Sequence, residues 1–70
     1  MERYRIVVSI KVKEADRKRQ YQVLDREKRE RGLPTYYGSE DAANKDCAEI
    51  KEAHGLNIYV TPCLTIPGAI

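Results

Sequence analysis

The stretch from Arg3 to Lys13, RYRIVVSIKVK, alternates by twos. Tyr4, Ile6, Val8, Ile10 and Val12 fall on one side; Arg3, Arg5, Val7, Ser9, Lys11 and Lys13 fall on the other. A period of two belongs to an extended chain, so the stretch predicts one long β-strand with a core-facing apolar side. Its other side carries four cations, Arg3, Arg5, Lys11 and Lys13, toward water. An antiparallel sheet can leave such a face solvated.

Downstream, Glu14 to Arg31 is built almost wholly of good helix formers, and Gly32 and Pro34 make a strong stop. Glu14–Lys18, Asp25–Arg29 and Glu27–Arg31 have the favourable i,i+4 order. The apolar stripe is weak, resting on Tyr21 and Leu24 with help from Val23. A helix is therefore expected. The competing reading returns Arg19 to Leu24 as a second strand with Tyr21 and Val23 inward. Leu33 to Gly38 reads as a turn-rich connector. Ser39 then has the chemistry of a helix N-cap, with Glu40 and Asp41 in the first turn where they oppose the helix dipole. Ala43, Cys47, Ile50 and His54 give the second helix an apolar face to about His54, and Gly55 suits its C-terminal cap. A short alternating strand follows, with Ile58 and Val60 to one side and Asn57, Tyr59 and Thr61 to the other. Pro62 is expected to break it. The fold class is α+β: one small domain over residues 1–70, with two or three strands in one sheet and one or two helices on one face. The favoured order is β-α-α-β and the alternative β-β-α-β.

Seventy residues leave room for a thin core at best, and this chain has no Phe or Trp to enlarge it. Charged residues make up 34% of it. Chains this small often lean on disulfides, metals or a second subunit, so a homodimer is an open expectation. No signal-peptide run or bilayer-length apolar run is present. A cytoplasmic location is expected, with Cys47 and Cys63 as free thiols. Net charge is +2, but residues 1–34 hold 11 Lys/Arg against 6 Asp/Glu while residues 35–70 hold 2 against 5. A molecule so divided favours oriented encounter with an anionic surface.

The chemical motifs point away from catalysis. Cys47 and His54 share a helix face, but seven residues at a rise of about 1.5 Å separate them by about 10 Å, too far for a nucleophile–base couple. Two Cys and one His without a CxxC do not make a structural zinc site. The carboxylates of the second helix read as a solvated face. The four glycines are too dispersed for a phosphate-cradling loop. No cofactor and no metal are expected, and the chain reads as a non-enzyme.

What remains is a basic surface. Arg3, Arg5, Lys11, Lys13, Arg17, Lys18, Arg19, Arg26 and Arg29 are its candidate contacts, with Tyr36 and Tyr37 as stacking surfaces. Two functions fit. One is a binding protein that docks on a larger protein or nucleoprotein complex and blocks it sterically. In size and style, though in no motif, such a chain is similar to phage and mobile-element accessory proteins, anti-CRISPR inhibitors among them. The other is a small RNA- or DNA-binding regulator. The apolar tail around Leu64, Ile66 and Ile70 serves either as core or as interface.

Overall fold

The computed structural model describes residues 2–64, and the tail positions Ile66 and Ile70 lie outside them. The order is β1 (Glu2–Val8), α1 (Glu14–Arg31), α2 (Glu40–His54) and β2 (Ile58–Leu64). This is the β-α-α-β form of the α+β expectation. The strands pair antiparallel, with Tyr4 opposite Pro62, Ile6 opposite Val60 and Val8 opposite Ile58. Both helices cover one face of this ribbon: α2 packs on both strands and α1 on β1. Ile6, Val8, Leu24, Tyr37, Ala43, Cys47, Ile50, Leu56 and Ile58 fill the space between the layers.

The first strand is shorter than its alternation implies. It ends at Val8, where Ser9 turns the chain. The Ser9 hydroxyl accepts the Lys11 N–H at 3.2 Å, and the Ser9 carbonyl accepts the Val12 N–H at 3.2 Å. The Ser9 N–H still bonds the Asn57 carbonyl at 2.8 Å, but beyond it the partner chain is the Gly55 cap of α2, so no ladder continues and the Ser9 side chain satisfies the turn locally. Ile10 therefore stands 81% exposed rather than in the core. Lys11 and Lys13 leave the strand for the turn. Val12 swings back to pack on the core edge.

The second strand is longer than expected. Pro62 lies within it, opposite Tyr4. The Tyr4 N–H and C=O bond Tyr37 on the far side of β1, at 2.9 and 2.7 Å. Tyr4 and Pro62 are thus a non-hydrogen-bonded pair, whose backbone groups point away from each other. The N–H that proline lacks would have faced the outer edge of β2, so no ladder bond is lost.

α1 buries a stripe that is only partly apolar. Leu24 is fully enclosed, and Tyr21 and Val23 pack against the core. Gln20 is also buried; its Oε1 accepts the Asn57 N–H at 2.8 Å, tying α1 to the start of β2. At the end of α1, Gly32 adopts φ 67°, and the bonds Leu33 N–H to Lys28 C=O and Gly32 N–H to Arg29 C=O form a Schellman cap. Gly55 (φ 65°) ends α2 with a single bond to the Lys51 carbonyl at 2.7 Å. Ser39 caps the N-terminus of α2, its hydroxyl accepting the Ala42 N–H.

Candidate binding surfaces

The layered fold distributes the cations. Ile6 and Val8 face the helices, so Arg3, Arg5 and Val7 face the opposite side, which neither helix covers. Register places Tyr59 beside Val7 on that same open face, where Tyr59 is 46% exposed. The Tyr4–Tyr37 bridge holds the connector against β1 and brings Tyr36 alongside. The Arg3 guanidinium sits 5.9 Å from the Tyr36 ring centroid, near the outer limit of a cation–π contact. Arg5 is half-buried, and Lys28 of α1 lies close enough to feel its charge. Burial pushes the Lys28 ammonium below its ordinary range; Asp25 counters this and Arg5 adds to it. The open sheet face is thus cationic and carries two accessible tyrosines at its margins.

The remaining cations lie elsewhere. Leu24 faces the core, so Lys18, Arg19, Gln22, Arg26 and Arg29 face outward by helical spacing, on the side of the molecule away from the open sheet face. Arg19, Gln22, Val23, Arg26 and Arg29 line a shallow groove of about 340 Å³ that has no carboxylate in its wall. Lys11 and Lys13 border a separate depression with Ser9, Asp16 and Asn57. Arg17 turns back, its guanidinium donating to the Ile10 carbonyl at 3.5 Å. The nine candidate cations therefore form two separated surfaces and a turn, not one continuous patch.

Tyr37 is not a stacking surface. It is 5% exposed, and its hydroxyl donates to Asp46 Oδ2 at 2.9 Å. Burial, reinforced by the bond to Asp46, pushes its phenol far above the ordinary range. The neighbouring Tyr36 is the accessible one of the pair.

Cys47 lies in the core and His54 in an ion pair between the helices. Cys47 is buried and unpaired, and burial raises its thiol pKa, which disfavours the reactive thiolate. His54 Nε2 pairs with Glu27 Oε1 across the two helices. The other Glu27 oxygen accepts from Arg31 at 2.7 Å, and Arg31 also reaches Glu49 at 3.3 Å. Arg31 and then His54 hold the Glu27 carboxyl below the usual range. This network clips α1 to α2. Among the described residues, no group of three or more His, Cys, Asp or Glu is placed to hold a metal ion. No helix of the described residues is long and apolar enough to cross a membrane.

Comparison with protein-family models, curated proteins and solved structures finds no match.

Proposed function

We propose that this is a non-enzymatic binding protein that docks on a larger macromolecular complex and blocks it sterically. The observation that carries the reading is the helix-free sheet face with Arg3, Arg5, Tyr36 and Tyr59. Tyr and Arg are enriched among the few residues that dominate binding at protein interfaces, because each offers a large contact area together with a polar tip. Arg3, Arg5 and Tyr59 stand on paired strands, so their backbone loses little order on docking. An acidic surface on the partner would complement the two arginines and steer the encounter.

The outward face of α1 favours a second reading, an RNA- or DNA-binding regulator. Arg19, Arg26 and Arg29 rise along one helix beside Gln22, a spacing that can follow phosphates.

Because the two surfaces lie on opposite sides, one pair of variants separates the readings. Arg3→Glu with Arg5→Glu should abolish recovery of a stoichiometric complex from the native host. Arg26→Glu with Arg29→Glu should leave that complex intact. The opposite pattern, with a mobility shift on RNA or DNA that fades steeply with salt, would establish the regulator instead. Circular dichroism controls for folding. Recovery of no complex at moderate salt, with no nucleic-acid shift, refutes both.

A further inference from the structure

We propose that the outer edge of β2 is the docking site for a second copy of this chain, β2 pairing antiparallel with β2 about a two-fold axis. The alternation set by Tyr4 and Tyr37 directs the N–H and C=O groups of Ile58 and Val60 away from β1, toward an edge that no other strand of the described residues pairs with. Beside that edge runs a groove of about 330 Å³ lined by Asn44, Cys47, Ala48 and Lys51 of α2 and by Ile58 to Val60. The other sheet edge is less available: Tyr37 already bridges β1 at Tyr4. Copies meeting at that edge would also bring Arg3, Arg5 and Lys28 toward one another.

The groove is complementary to itself. Asp41, Asn44, Ala48 and Lys51 follow the 3-4-3 spacing of a helix-pairing seam, and the row is symmetric about position 46. An antiparallel α2 from a second copy therefore sets Asp41 against Lys51, Asn44 against Ala48, and the reverse. The small central side chains permit close helix approach, and the outer charges are opposite. Among the described residues, neither Asp41 nor Lys51 has an ion-pair partner within the chain. The strands share this symmetry. Centred on Tyr59, Ile58 of one copy faces Val60 of the other, and both N–H and C=O of each find partners. Pro62 disfavours the neighbouring register centred on Val60, in which its missing N–H would leave an Ile58 carbonyl unpaired. The contact uses the same surface on both copies, so it closes as a dimer and does not propagate.

The test is sedimentation equilibrium over a range of concentrations up to about 1 mM. The wild type should approach twice the 8.1 kDa chain mass. Asp41→Lys alone and Lys51→Asp alone should each weaken association about tenfold, because each change disrupts two symmetry-related pairs. The double exchange, Asp41→Lys with Lys51→Asp, should restore it. Ala48→Arg, an exposed helix position, should give a folded monomer by circular dichroism. A wild type that stays monomeric throughout overturns the proposal. So does a dimer indifferent to Ala48→Arg and to the charge exchange.

Discussion

Val8 and Ile10 have the same parity in the opening stretch, yet Val8 is 2% exposed and Ile10 is 81% exposed. Truncating each tests where the strand ends. Val8→Ala removes two methyl groups from a closed core, a loss of about 2 kcal/mol once transfer and cavity are counted. Ile10→Ser changes a side chain already in water, so its effect should stay within about 0.5 kcal/mol. The whole fold of a 70-residue chain is worth roughly 4–10 kcal/mol, so the first change removes a large share. With a urea slope of about 1 kcal/mol per molar, the midpoint should fall by about 2 M for Val8→Ala and by less than about 0.5 M for Ile10→Ser. Far-ultraviolet circular dichroism during urea titration reads both midpoints. Equal losses at the two positions would show that β1 continues through Ile10 and that the Ser9 turn is wrong. Lys11 would then return to the open face, and the division of the cations described above would fail with it.

Three further outcomes follow from specific contacts. The Tyr37 phenol is raised above its ordinary value of 10.0, so its contribution is complete below pH 10 and is lost as pH climbs through the higher folded value. Tyr37→Phe should flatten part of the alkaline decline in the urea midpoint; an unchanged slope refutes the buried phenol bonded to Asp46. Glu27 is held below its ordinary 4.5, chiefly by Arg31, so its contribution is present above 4.5 and lost as pH falls through the lower folded value. Glu27→Gln should lower the midpoint at pH 7 and shrink the difference between pH 7 and pH 3, and an undiminished difference would dismiss the α1–α2 clip. Gly55→Ala forces an L side chain into φ 65° and should cost about 1 kcal/mol, read as a drop in thermal midpoint. No drop would mean that α2 ends differently.

The helices were legible because their signals are local. Ser39, Gly32 with Pro34, and Gly55 mark ends by backbone chemistry that neighbouring residues cannot alter, and the observed caps use those same residues. The strand ends were not legible, because each depends on what lies across the chain. A period of two continues past Ser9 regardless of the turn bonds that bend it there. Pro62 reads as a breaker until the Tyr4–Tyr37 bridge shows which side of β2 its nitrogen faces. α1 looked weakly amphipathic because two of its inward positions, Gln20 and Glu27, are polar and satisfied by distant partners, Asn57 and His54. No spacing rule distinguishes such a residue from a solvated one. Tyr36 and Tyr37 are adjacent and chemically identical, and only the bridge to β1 decides which faces the core. The cations were legible as a count but not as a surface. In a two-layer fold, helix and sheet each turn their polar side outward, so residues close in composition end on opposite sides.

Under the proposed β2–β2 pairing, that separation ties self-association to docking. Local two-fold axes in an antiparallel sheet run perpendicular to it, so β2–β2 pairing keeps the helices of both copies on one side. Arg3, Arg5 and Tyr59 of each copy then share a single four-stranded face, doubled in area. The basic outer faces of α1 remain on the far side and take no part. A partner that spans both copies binds the dimer more tightly than either monomer, and by linkage it must draw monomers together as strongly as pairing strengthens docking. Ala48→Arg lies on α2, away from the open sheet face. It should nonetheless weaken docking on such a partner, whereas a partner covered by one copy alone would not register the change. The same substitution thus reports the size of the docked surface as well as the state of the protein.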